Sequence, residues 1–94
     1  MAEPVNLEKF IEICINKGFE IGIKLEEIKM ILLNEFNHQE LNYSFGNYFA
    51  KTFCKRLEYN GFGSYSNLNQ EFIFNQENPF FIKALLDKVK TEKS

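Results

Sequence analysis

The sequence has too few of the residues that would assign a small protein to a class at once. It contains two cysteines and one histidine, too few for a disulfide framework or for a zinc site of converging ligands. No segment approaches the roughly 20 apolar residues that span a bilayer, and the Met-Ala-Glu-Pro start has neither region of a secretion signal. We expect a cytoplasmic protein with buried, reduced thiols, no metal and no cofactor.

Catalytic groups are equally sparse. Glu26 and Glu27 are adjacent, so on a helix they diverge instead of converging on a substrate. The stretch Gly61-Phe62-Gly63 lacks the rest of any phosphate-binding fingerprint. His38, the single histidine, lies in a polar connector where capping or solvent exposure is its expected role. The sequence therefore predicts no enzyme.

Large aromatic side chains are abundant. Of 94 residues, 11 are Phe, and 45% are hydrophobic while 26% are charged. Each aromatic ring can bury roughly 150–250 Å² of surface, so even a chain of this length can enclose a core. Length and composition predict one globular domain over residues 1–94, with its core between about residues 5 and 90.

Hydrophobic spacing predicts the order of helices and strands. The predicted elements are helix 6–17, strand 19–24, helix 25–36, helix 44–60, strand 62–65, strand 72–74 and a last helix from residue 79. Asn6 is the expected N-cap of the first helix and Gly18 its expected end, and Asn78 followed by Pro79 is the expected start of the last helix. The order α-β-α-α-β-β-α is a mostly α fold with a small antiparallel β-sheet, an α+β class.

Helix 44–60 carries the clearest pattern. Its apolar residues recur every four positions, at Phe45, Phe49, Phe53 and Leu57. Polar positions are offset from this stripe by two residues, about 200° around the axis. With the stripe in the core, the residues that project outward are Ser44, Asn47, Tyr48, Lys51 and Lys55.

The residues IKLEEIKMIL and FAKTFCKRLEYNGF, followed by a hairpin, resemble the winged-helix fold. Its third helix commonly ends in a basic-Leu-acidic run before a glycine, as residues 55–58 and Gly61 do here. The resemblance implies that strand 19–24 pairs with the two wing strands and that helix 44–60 is a recognition helix. The wing, residues 66–70, contains no Lys or Arg.

Charge is divided unevenly along the chain. Residues 1–40 carry eight acids and four lysines, which gives −4, whereas residues 41–70 carry three basic residues and one acid, which gives +2. Lysine and arginine attract phosphate, and asparagine can read a base edge. The residues predicted to bind nucleic acid are Ser44, Asn47, Tyr48, Lys51, Lys55, Arg56, Asn67 and Asn69.

Two functions from different classes follow. The first is binding of double-stranded DNA by a transcription regulator or replication accessory, encoded by a low-GC bacterium or by its phage or plasmid. The second is a protein-binding module or inhibitor from a mobile element, which would use its acidic first half and its aromatic residues against a host nuclease or polymerase. An ordinary solvated face is the alternative for the lysines, and turn formation is the alternative for Asn67 and Asn69.

The last helix is more apolar than one core face requires. Phe80 and Ala84 lie beside the set expected to face inward, which comprises Phe81, Ile82, Leu85, Leu86 and Val89. Surplus apolar surface often marks an interface. We therefore expect a homodimer through Phe80 and Ala84, with packing of Phe80 against the first helix as the alternative.

Overall fold

A computed structural model describes residues 5–36 and 46–93 of the chain. The elements are α1 (Leu7–Asn16), β1 (Gly22–Lys24), α2 (Leu25–Phe36), α3 (Gly46–Tyr59), β2 (Gly63–Ser66), β3 (Glu71–Phe74) and α4 (Pro79–Lys93). The predicted order α-β-α-α-β-β-α and the α+β class are confirmed. The predictions for Ser44, Phe45 and His38 fall outside the described residues.

Local sequence sets the helix ends as predicted. The Asn6 side-chain oxygen accepts from the Lys9 N–H at 3.1 Å and caps α1. Gly18 follows α1 with φ +98°, a conformation that favours glycine. The Asn78 side-chain oxygen accepts from the Phe81 N–H at 2.9 Å, one turn into α4. These caps satisfy backbone donors that the first turn of a helix otherwise leaves free.

The three strands form one antiparallel sheet in the order β1-β3-β2. Ile23 of β1 pairs with Phe72 of β3, which on its other side pairs with Tyr65 of β2. The short β1 thus has the long-range partner that it needs for stability. It is shorter than predicted, because Ile21 lies outside the strand and is 70% exposed.

All four helices and the inner face of the sheet enclose one core. Phe10 of α1 meets Phe53 of α3 edge-on, with ring centroids 4.8 Å apart. Phe74 of β3 stacks on Phe81 of α4 at 5.2 Å. The first pair joins elements that are distant in sequence and the second joins the successive elements β3 and α4, and these rings supply much of the buried apolar surface.

The buried face of α4 differs from the predicted one. Phe81 and Ala84 face inward, but Ile82, Leu86 and Val89 are exposed. These three residues share a side of the helix that no other described element covers. The prediction that they face the core is wrong, because α4 packs along α1 through its other side.

The apolar run of α2 lies partly in the core and partly at the surface. Met30 is 49% exposed, whereas Ile28 and Leu32 are fully buried. Residues two positions apart on a helix point in different directions, so one apolar run spans both core and surface.

The helices of residues 5–36 and 46–93 include none that is both long and apolar enough to cross a membrane.

Candidate nucleic-acid interface

One side of α3 faces solvent along the whole helix. Tyr48 is 75% exposed and Tyr59 is 92% exposed, and Lys55 lies between them, within about 40° of both around the axis. Thr52 is exposed beside them, and Lys51 is half-buried at the edge. We call these five residues, Tyr48, Lys51, Thr52, Lys55 and Tyr59, the α3 outward face.

The opposite side of α3 fixes this face in place. Its fully enclosed residues are Ala50, Phe53, Cys54 and Leu57. At the end of the helix, the Glu58 carboxylate accepts from the Tyr65 N–H of β2 at 2.7 Å. Helix and hairpin are therefore held together by a charge-assisted hydrogen bond as well as by the core.

Only part of the predicted apolar stripe of α3 is buried. Phe53 and Leu57 are buried as expected, but Phe49 is half-buried and Ala50 and Cys54 complete the inward side. An α-helix has 3.6 residues per turn, so residues spaced by four move gradually around its axis. The buried side therefore consists of residues that are three or four positions apart.

The lysines of the α3 outward face differ from four others in their electrostatic surroundings, and share with Lys83 and Lys90 the lack of an ion pair with a described residue. Four ion pairs occupy lysines elsewhere: Lys17–Glu35, Lys24–Glu71 and Lys88–Glu20, each at 3.8 Å, and Lys29–Glu26 at 3.5 Å. Lys51 and Lys55 form no ion pair with a described residue.

Two predicted site residues lie off the α3 outward face. The side-chain oxygen of Asn47 accepts from Lys29 Nζ of α2 at 2.9 Å. Arg56 donates to the backbone oxygen of Val5 at 3.4 Å and lies over the Phe53 ring at 5.7 Å from its centroid. Both side chains bind within the chain and support the helix.

Thr52 and Tyr59 were missed by the sequence reasoning. The signal was present, since they are spaced from Tyr48 by 4 and 11 residues, which returns to nearly the same side of a helix. The prediction instead followed the polar positions Asn47, Lys51 and Lys55, which are four residues apart. This series begins at Asn47, on the side that faces α2, and moves around the helix toward the outward face.

The turn between β2 and β3 exposes both predicted wing residues, Asn67 and Asn69. The Asn69 N–H donates to Ser66 Oγ at 3.3 Å, as in a turn. The Asn69 backbone oxygen accepts from Lys24 Nζ at 3.4 Å. The fold thus brings a lysine from β1 to a wing that has none of its own, although this lysine also contacts Glu71.

The same edge of the molecule also carries negative charge. Glu26 and Glu27, at the start of α2, line a shallow groove with Lys24, Asn69 and Gln70. Carboxylates here repel phosphate. This end of the hairpin therefore contributes less to anion binding than the α3 outward face.

The two thiols are buried and free. Burial raises the pKa of Cys54 to about 12 and raises the pKa of Cys14 further. Burial likewise raises the pKa of Tyr65, whose hydroxyl is enclosed without a hydrogen-bond partner among the described residues. Among the residues that the structure describes, no three His, Cys, Asp or Glu side chains lie close enough together to hold a metal ion.

The residues expected to form a dimer are largely occupied within the chain. Phe80 is half-buried and meets Phe62 edge-on, with centroids 6.3 Å apart. Ala84 is only 8% exposed. Phe80 therefore packs near β2, whereas the alternative placed it against α1.

Comparisons with protein-family models, with curated proteins and with solved structures find no match to this chain.

Proposed function

We propose that the protein binds double-stranded DNA in the cytoplasm, with α3 in the major groove and the β2–β3 hairpin beside it, as the winged-helix resemblance implies. A transcription regulator or replication accessory is the role that fits. The observation that supports this most strongly is the pair Lys51 and Lys55, which form no ion pair with a described residue. The exposed carboxylate nearest to them on α3, that of Glu58, accepts a hydrogen bond from the Tyr65 N–H.

The geometry of α3 suits a groove. Its 14 residues span about 21 Å, longer than the roughly 12 Å width of the major groove. Lys51 and Lys55 are one turn apart, so both can reach phosphates of one strand. The hydroxyls of Tyr48, Thr52 and Tyr59 can donate to phosphate oxygens or to base edges.

The number of cations limits the affinity. Two phosphate contacts predict a slope of log K against log salt of about −2. Binding should therefore weaken about tenfold between about 50 and about 200 mM salt. Because the α3 outward face has only two lysines, we expect moderate affinity for DNA, and we expect this affinity to require both lysines.

Fluorescence anisotropy with a labelled duplex of about 20 base pairs, two helical turns, tests the proposal. The variant with Lys51→Glu and Lys55→Glu should lose detectable binding. The control variant carries Lys83→Glu and Lys90→Glu on α4, which changes net charge equally and should bind like the wild type. Loss of binding in both variants, or no salt-sensitive binding by the wild type, would contradict the proposal.

A protein-binding module is the second candidate function, and a separate observation favours it. Ile82, Leu86 and Val89 leave an apolar side of α4 exposed. This side is on a different helix from the α3 outward face. The two functions therefore predict different sensitive residues, and one chain can have both.

A further inference from the structure

The exposed apolar residues of α4 form a straight stripe. Ile82 is 41% exposed, Leu86 57% and Val89 44%. Their spacing of four and three residues keeps them on one side over a length of about 10 Å. We call Ile82, Leu86 and Val89 the α4 stripe.

This spacing is that of a coiled-coil seam. With Leu86 at position a of a heptad, Ile82 and Val89 occupy the flanking d positions. The residues that α4 buries in its own domain, Phe81 and Ala84, lie at other heptad positions. The helix therefore packs on the core with one side and presents a second packing surface with another.

Lysines border the α4 stripe on its solvent side. Lys83 and Lys90 occupy successive e positions, one heptad apart, and both are exposed. Neither forms an ion pair with a residue whose side chain the structure describes, although Asp87 lies one turn from each. The other border is Leu85, which is half-buried toward the core. In coiled coils, charges at positions e and g select the partner and its direction.

These charges disfavour a second copy of the chain as the occupant. An antiparallel pair that stacked the two stripes would place Lys83 close to a lysine of the other copy, and like charges repel. A parallel pair would place Lys90 beside Leu85, without a charge partner. Self-association leaves the lysines uncompensated in either direction.

We propose that the α4 stripe binds an amphipathic helix of a different protein. Apolar side chains of that helix pack on Ile82, Leu86 and Val89, and two of its carboxylates, one heptad apart, contact Lys83 and Lys90. The surface is separate from the α3 outward face, so this binding does not depend on DNA.

A pair of designed peptides tests the charge complementarity. Each has about three heptads with Leu at positions a and d; one carries Glu at all e and g positions and the other carries Lys. Fluorescence anisotropy with the full chain should show the Glu peptide binding about tenfold more tightly than the Lys peptide at low salt. The variant with Lys83→Glu and Lys90→Glu should reverse this preference.

Leu86→Glu tests the apolar part and should abolish binding of the Glu peptide. Met30→Glu, which changes a similarly exposed apolar residue of α2, should leave binding intact. Circular dichroism confirms that each variant is folded. Equal binding of both peptides, binding of neither, or insensitivity to Leu86→Glu overturns the proposal. Sedimentation that shows a dimer lost on Leu86→Glu also overturns it, in favour of a second copy.

Discussion

Helix α3 turns a basic and aromatic side toward solvent, whereas α4 turns an apolar side outward and a lysine inward. In α3, Cys54 and Leu57 are fully buried and Lys55 between them is exposed. In α4, Leu86 is 57% exposed, while Lys88 Nζ donates to the backbone oxygen of Ile15 at 2.9 Å.

The packing of α4 against α1 accounts for the difference, and Lys88 contributes to it. Its ammonium group satisfies a carbonyl at the end of α1, where a positive charge is favourable, and it also contacts Glu20. Burial of Phe81 and Ala84 orients α4 and leaves the α4 stripe in solvent, and the contacts of Lys88 with α1 add to this orientation. A helix with one apolar side has a predictable orientation, and a helix with two is oriented by what it packs against.

The largest expected effect on stability comes from substitutions on the two sides of α4. Phe81 is fully buried, so Phe81→Ala should lower the free energy of unfolding by about 3–5 kcal/mol. Leu86→Ala should change it by no more than about 0.5 kcal/mol. Urea denaturation measures both. Similar losses would mean that α4 packs as the sequence predicted.

The inward side of α3 can be tested through its thiol. Because burial raises the pKa of Cys54 to about 12, alkylation at neutral pH should be at least about a hundredfold slower in the folded protein than in urea. Mass spectrometry distinguishes this site from Cys14. Equally fast alkylation of Cys54 in both states would show that α3 is not packed as described.

The same thiol predicts a pH dependence. The native thiol holds its proton more tightly than the unfolded one, so its contribution to stability is complete below the usual pKa of 9.0 and falls as the pH rises toward about 12. Denaturation curves across this range measure it. Cys54→Ala should reduce the fall, and a fall unchanged in that variant would assign it to other groups.

The tyrosines of the α3 outward face should matter for DNA and not for folding. Tyr48→Phe with Tyr59→Phe removes two exposed hydroxyls and should weaken duplex binding about tenfold, as expected for two hydrogen bonds. Tyr65→Phe is the matched control, because that hydroxyl is buried, and it should bind like the wild type. Equal weakening by the control would remove the outward face from the interface.

The smallest expected effect compares two lysines. Lys88→Met removes the hydrogen bond to Ile15 and should lower the free energy of unfolding by about 1 kcal/mol. Lys55→Met, on an exposed position, should leave it nearly unchanged. Both are measured by urea denaturation, and a larger loss for Lys55 would reverse the assignment of inward and outward sides.

Local signals in the sequence were sufficient for the order of elements. Asn6 and Asn78 marked helix starts because capping depends only on residues within one turn. The pairing of Ile23 with Phe72 is a long-range contact; the winged-helix resemblance implied that the first strand pairs with the wing strands, but it did not specify this register. The extent of β1 was overestimated because a period of two over a few residues does not fix where pairing begins.

The candidate site was predictable in part. Tyr48 and Lys55 followed from helical spacing, while the hydrogen bond of Arg56 depends on Val5, about 50 residues away in sequence. The approach of Lys24 to the wing likewise depends on sheet topology. Contacts between segments that are distant in sequence decide which charged side chains have a partner within the chain. Local spacing in the sequence does not predict these contacts.

Amide chemical-shift mapping by heteronuclear NMR tests the separation of the two surfaces most directly. Titration with the duplex should shift resonances of Tyr48, Lys51, Thr52, Lys55 and Tyr59 and leave those of Ile82, Leu86 and Val89 in place. The Glu peptide should do the reverse. A duplex that shifts the α4 stripe, or that leaves the α3 outward face unchanged at low salt, would contradict the account.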